Sequence, residues 1–260
     1  MKKVILLFIS LLISFPEANT AKEDVSTVLI TGSNRNIGLE FVKQFSEKGW
    51  RVIATSRSLD SADELIEYSS VHENVIVEQL DITNDDHLQF LQKKYENEAI
   101  DILLNNAGYT PRYFSSFRGI MGVDEEATRR SFEVNSIGTM KVIQTFMENI
   151  EQSDNGKIVN LSTKAASFKE RPEIPMTYSY AMSKAALNSM IRTLSFETNE
   201  NNIIVVAISP GIVNTTMGMG LMGAIDIDES VSKMMMVIDN LTMEHNGLFL
   251  DYEDGRIIDW

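Results

Sequence analysis

The stretch VSTVLITGSNRNIGLE, residues 25–40, decides the fold. A β-branched run from Val25 to Ile30 leads directly into Thr31-Gly32, and Ile37-Gly38 then opens a segment with apolar residues at helical spacing. The order is strand, tight turn, helix. A helix that starts this way offers free N–H groups and the positive end of its dipole to a pyrophosphate. The middle position of such a turn is usually glycine, which turns with positive φ or lets the backbone approach the phosphates, but here it is Asn36. Asparagine is among the few other residues that tolerate the left-handed region. The substitution therefore weakens the turn without abolishing it.

The same alternation continues to the end of the chain. VSTVLI (25–30), RVIAT (51–55), NVIVEQL (74–80), IDILLN (100–105), GKIVNL (156–161), NIIVVAIS (202–209) and GLFL (247–250) read as seven strands, mostly apolar on both faces as in a buried parallel sheet. Segments 36–48, 84–96, 131–152, 177–199 and 228–241 carry helical apolar spacing between them. A βαβ series of this kind implies an α/β fold: one Rossmann-type, doubly wound parallel sheet of about seven strands with helices on both faces. At 260 residues, one domain over 22–260 accounts for the chain.

Ahead of that domain, Lys2 and Lys3 precede an apolar run from Val4 to Phe15, then Pro16 and the small residues Ala18 to Ala21. Residues 1–21 therefore read as a secretory-type signal. The run is short for a membrane span. An uncleaved anchor, or a true start near Lys22, are the other readings. A stable membrane partner is expected only if the segment is retained.

Composition narrows the function classes. The net charge is −14, with 37 acidic against 23 basic side chains, which repels phosphate backbones and argues against nucleic acid as a partner. Cysteine is absent, which removes disulfides, thiolate metal sites and a cysteine nucleophile. His72, His87 and His245 lack ligand spacing, so no metal is expected.

Four further motifs follow the first turn in order: NNAG (105–108), VNSIG (134–138), YAMSK (180–184) and SPGIVNT (209–215). With TGSNRNIG (31–38) they resemble the short-chain dehydrogenase/reductase family over Val25 to Trp260. YSYAMSKAALN, TTMGMG and the terminal NGLFLDYEDGRIIDW are similar to its Sniffer- and C-factor-like subgroup of small carbonyl reductases.

Tyr180 and Lys184 are four apart and share a helix face, where an ammonium lowers the phenol pKa from about 10 towards working pH. The resemblance implies that Tyr180 is the acid that protonates the carbonyl oxygen, that Lys184 also holds the nicotinamide ribose, and that Asn135 anchors a water linking Lys184 to solvent. Tyr178 is a competing phenol, but the residue four beyond it is Met182, so it reads as part of the substrate pocket. The family serine that follows the fifth strand corresponds to Thr163, counted from Asn160, and Ser162 and Ser167 are neighbouring hydroxyls that could take its role.

For the cofactor, the resemblance implies a site built from Gly32, Asn34, Arg35, Asn36, Ile37 and Gly38, with Asn106, Ala107 and Gly108, and a nicotinamide loop at Pro210, Gly211, Ile212, Val213 and Thr215. Arg35 matches the basic position of NADPH-using members. Arg57 follows the second strand, and before it stands Ser56, with no carboxylate to accept a ribose 2′-OH. NADP(H) is thus expected over NAD(H). Asp81 fits the family's adenine contact or, more plainly, a helix cap.

The Met-rich segment 217–224 suits a flexible lid over an apolar or aromatic carbonyl. The expected function is hydride transfer between NADPH and a small-molecule carbonyl or alcohol. The alternative is a dinucleotide-binding regulatory or signalling protein with little turnover. A homodimer through segments 131–152 and 177–199 is the assembly the resemblance favours. For localisation, the signal-like start points outward, whereas the cofactor chemistry points to the cytoplasm.

Overall fold

β1 (Thr27–Ile30) is buried along its whole length, and its side chains divide by parity. Val28 and Ile30 enter one apolar cluster and Leu29 the other. β2 (Arg51–Ser56) repeats the pattern, with Val52 and Ala54 on one side and Ile53 on the other. Period-two alternation with apolar residues on both faces requires cover on both faces.

In the computed structural model, which describes residues 25–111, 119–173, 177–215 and 223–260, helices supply that cover. The signal-like segment 1–21 and residues 217–222 of the Met-rich stretch lie outside the described residues. β3 (Val75–Gln79), β4 (Ile102–Asn105), β5 (Lys157–Leu161), β6 (Ile204–Ser209) and β7 (Phe249–Asp251) complete a seven-stranded sheet in the order β3-β2-β1-β4-β5-β6-β7. Every strand pair is parallel.

One face is packed by α1 (Asn36–Glu47) through Leu39, Val42 and Phe45, and by α7 (Ile227–Asp239) through Val231, Met234 and Ile238. The other is packed by α3 (Asp85–Lys94) through Leu88 and Leu91, by α5 (Thr139–Glu151) through Val142 and Phe146, and by α6 (Tyr178–Thr198) through Leu187 and Ile191. Each such side chain removed from water stabilises the fold by roughly 1.5–3 kcal/mol before entropy is counted. The two-faced cover agrees with the doubly wound sheet read from the sequence.

Two helices had no legible apolar stripe. α2 (Asp63–Ser70) buries only Leu65 among its eight residues, and α4 (Glu125–Phe132) buries only Ser131. α4 runs through a π-helical turn, Glu133–Gly138, into α5, so the segment expected from 131 starts earlier and is interrupted. After β7 the chain doubles back: Leu250 faces Ile257 in an antiparallel bridge, and Trp260 stacks on Phe249 at 5.6 Å.

The topology also places the site. The chain leaves β1 towards β2 and β3, then crosses back to β4 on the far side of β1. Loops at the carboxyl ends of β1 and β4 diverge there, which opens the crevice where doubly wound sheets bind ligands.

Candidate active site

The turn after β1 is built for close approach of backbones. Gly32 has φ 69°, and a Cβ on it would sit 2.9 Å from Ala107 Cα. A Cβ on Gly38 would sit 2.2 Å from the Gly32 carbonyl oxygen, so both glycines are required by space. Asn36 takes φ 50°, which is the positive φ that the missing glycine would supply.

The end of β4 staples the turn: Asn106 Nδ2 donates to the carbonyls of Thr31 (2.9 Å) and Gly32 (2.8 Å). Thr31 Oγ1 in return accepts from the amides of Asn106 (3.1 Å) and Ala107 (3.0 Å). Asn34 Nδ2 anchors the outer side to the Ser61 carbonyl at 3.0 Å.

α1 starts without a side-chain cap and without an acidic residue in its first turn, whereas α2, α3 and α4 each carry two acids there. Its N-terminal amides and dipole are thus left uncompensated on the crevice side, an arrangement that suits an anion.

At the far end of the crevice, Ser56 is buried and its hydroxyl donates to the Ser58 carbonyl at 2.9 Å. Arg35 and Arg57 are exposed, and neither forms an ion pair among the described residues. The cap of α3 is Asn84, whose side chain accepts from Asp86 and His87, so the capping role weighed for Asp81 belongs to another residue. Asp81 Oδ1 instead accepts from the amide (3.0 Å) and hydroxyl (2.7 Å) of Thr83. Burial pushes its carboxyl pKa up, but those two donors, with Arg130 and Arg57 nearby, hold it below the ordinary value.

The histidines have local roles: His72 stacks on Tyr68, His87 accepts from the Asp81 amide, and His245 completes a capping box. Among the described residues no cluster could hold a metal ion.

The chemistry-bearing groups meet around β4, β5 and α6. Lys184 is 4% exposed. Its Nζ donates to the Leu161 carbonyl at 2.7 Å, and burial pushes its pKa down to about 8. Tyr180 lies one turn earlier on the same helix.

Asn135 sits in the π-turn, fully buried, and its amide is used on both sides. Oδ1 accepts from the Tyr109 amide (2.7 Å), while Nδ2 lies 2.9 Å from both the Tyr109 carbonyl and Ser183 Oγ. Gly108 runs between them: a Cβ there would lie 3.4 Å from Asn135 Oδ1 and 4.0 Å from Lys184 Nζ.

Of the three hydroxyls after β5, two are committed elsewhere. Ser162 Oγ donates to Asn188 Oδ1 at 2.6 Å, and Ser167 Oγ donates to the Asp259 carbonyl at 2.6 Å. Thr163 is half-buried, and its Oγ1 accepts from the Ala165 amide at 3.2 Å. Its own proton has no acceptor among the described residues.

The loop after β6 is held from behind. Gly211 has φ 80°, and a Cβ on it would meet the Tyr252 ring at 2.7 Å. Ser230 Oγ donates to the Pro210 carbonyl at 2.7 Å. The bridge between Val213 and Ile225 uses the Ile212 carbonyl and the Asn214 amide, which leaves the Val213 N–H outside that ladder, with Thr215 half-buried beyond it.

A cleft lined by Thr110, Pro111, Val123, Asp124, Ala127, Thr177, Tyr178, Ser179 and Tyr180 opens beside the phenol. Tyr178 and Tyr180 both border it. The wall from the loop after β4 and from α4 was not anticipated. Its only sequence signal is Asp124 ahead of two glutamates, and Asp124 does cap α4.

Residues 26–224 match the family model for short chain dehydrogenase. An uncharacterized oxidoreductase of Schizosaccharomyces pombe is 32% identical over 249 residues, 88% of this chain and 96% of its own length. The C-signal protein of Myxococcus xanthus is 30% identical over 161 residues, 62% of this chain and 93% of its own length. Among solved structures, the carbonyl reductase of chicken fatty liver with NADPH bound superposes with a TM-score of 0.81 at 29% identity, covering 91% of this chain and 99% of that one.

Proposed function

The chain belongs to the short-chain dehydrogenase family, and on that premise we propose that it is an NADPH-dependent reductase of a small carbonyl substrate. The observation that carries this reading is the buried Lys184 ammonium, one helical turn from Tyr180 at the edge of a cleft. A buried cation without a counter-ion is costly, and among the described residues Lys184 Nζ has one carbonyl, that of Leu161, as its hydrogen-bond partner. A structural role would be filled better by an apolar side chain.

NADP(H) fits the crevice on this reading. The pyrophosphate would lie on the open N-terminus of α1 and the Gly32–Gly38 turn, and the 2′-phosphate between Arg35 and Arg57. The adenine would lie beside Asp81, and the nicotinamide against the Pro210–Thr215 loop. When bound, NADPH supplies the hydride.

The chain's own residues supply the rest. Tyr180 donates its phenolic proton to the carbonyl oxygen. Thr163 donates a hydrogen bond to the same oxygen, which stabilises the charge that grows there. Lys184 lowers the cost of the resulting phenolate and presents its remaining donors to the ribose. Asn135 holds the Tyr109 backbone and Ser183 so that Gly108 stays close to Lys184. NADPH use by related proteins is supporting context, since the chicken enzyme was solved with that cofactor bound.

The test is NADPH oxidation by purified protein with a panel of aldehydes and quinones, and turnover is the expected result. A second reading, a dinucleotide-binding signalling protein with little turnover, is favoured by the C-signal similarity. Cofactor binding with no oxidation across the panel would select it. We also propose a homodimer through the α4–α5 and α6 helices, where Ile137, Met140 and Met182 are exposed; light scattering would check it.

A further inference from the structure

Thr163 is the first residue of a short segment tied along its length to the chain terminus. Its Oγ1 and carbonyl accept from the amides of Ala165 and Ala166, which makes it the cap of the single 3-10 turn Lys164–Ala166. Lys164 pairs with Asp251 at 2.5 Å, and Asp251 is almost fully buried at the end of β7. Arg256 reaches the same Asp251 oxygen at 3.5 Å and grips Glu170 through both of its terminal nitrogens.

Ser167 closes the centre of the segment: it donates to the Asp259 carbonyl and accepts from the amides of Lys169 and Glu170. The segment after β5 and the tail after β7 are thus sewn together at both ends and in the middle.

We infer that the Lys164–Asp251 pair is a positioning device that fixes the Thr163 hydroxyl at the carbonyl site, with the Glu170–Arg256 pair bracing the far end. The inference rests on the reading of Thr163 as the hydroxyl that acts on the carbonyl oxygen. An isolated exposed pair would do little. Here one partner is buried and also accepts from the Glu253 amide at 3.2 Å, so its geometry is set by the sheet rather than by solvent. Lys164 is joined to Thr163 by one peptide bond, so its displacement moves the cap directly. A shift of about 1 Å at a reacting group can cost on the order of a hundredfold in rate.

Two measurements test the device on the full chain. The first is amide exchange across 164–170 in Lys164→Met and Lys164→Arg. The expectation is that Met speeds exchange of the Ala165 and Ala166 amides by at least about tenfold while Arg leaves it near wild type. Unchanged exchange in Lys164→Met overturns the device, whatever the protein's activity.

The second is a double-mutant cycle on NADPH-dependent turnover. Lys164→Met is expected to lower kcat by about five- to tenfold with KM for NADPH within twofold of wild type, and to cost almost nothing further in a Thr163→Val background. Equal losses in both backgrounds would show a general structural effect and overturn it. Glu170→Gln, at the exposed end, should give a smaller loss in the same direction without threatening the fold. If Thr163→Val alone leaves turnover intact, the reading of Thr163 fails, while the exchange result still decides the clamp.

Discussion

Lys184→Met should move stability and activity in separable ways, because the ammonium is held where water would not leave it. Burial lowers its pKa from 10.5 to about 8, which corresponds to roughly 3 kcal/mol at about 1.4 kcal/mol per pKa unit. The sign follows from proton counting.

Below about pH 8 both the folded and unfolded chains keep the proton, and the full cost of burying the cation is present. Between about 8 and 10.5 the folded chain has released the proton while the unfolded chain holds it, so stability rises with pH. Above 10.5 both are neutral and the cost has gone.

Wild type and Lys184→Met should therefore differ by a quantity that changes with pH. Between pH 7 and pH 11 wild type should gain up to roughly 3 kcal/mol relative to the methionine variant. Urea unfolding of both proteins at each pH gives it directly, and the background titration common to both cancels. NADPH binding should weaken in the variant and turnover should be lost. A stability difference that stays constant across this pH range would refute the buried-ammonium argument.

Other outcomes follow from the same geometry. Arg35→Ala with Arg57→Ala should weaken NADPH by at least about tenfold and leave NADH nearly untouched, since charge-assisted bonds to a phosphate are worth about 1.5–3 kcal/mol each; fluorescence titration with both cofactors reads it, and equal losses would remove the arginines as selectors. Thr163→Val should reduce kcat while Thr163→Ser retains it, because only the donor is lost at similar shape; the opposite ranking would pass the role to Ser162 or Ser167. Asn36→Gly should keep NADPH affinity, whereas Asn36→Val should lose about tenfold, since a β-branched residue at φ 50° costs on the order of 1–2 kcal/mol. Calorimetric titration of both variants would check this.

How far the sequence could be read depended on whether the information was local. The β1–turn–α1 unit was legible because parity along Val28, Leu29 and Ile30, the two glycines and Asn36 all act within a few residues of one another. The choice among Ser162, Thr163 and Ser167 was not. The partners of the two serines are Asn188 and Asp259, which lie 26 and 92 residues away and are brought close by α6 and the tail.

The sequence around Asp81 leaves a helix cap open beside the adenine contact that the resemblance implies, and the cap of α3 is Asn84, three residues on. α4 was hidden because EEATRRSF buries only a serine against its neighbours, so no apolar period marks it. The cleft wall it forms was hidden with it.

The proposed function makes Tyr180 the proton donor of an NADPH-dependent reduction. Its most direct test is the rate of NADPH oxidation by wild type and Tyr180→Phe, side by side, with the best carbonyl substrate from the panel. Measurable turnover is expected in wild type, with a fall of about 10²–10⁴-fold in kcat for the phenylalanine variant and NADPH affinity unchanged. Near-normal turnover in Tyr180→Phe would contradict it.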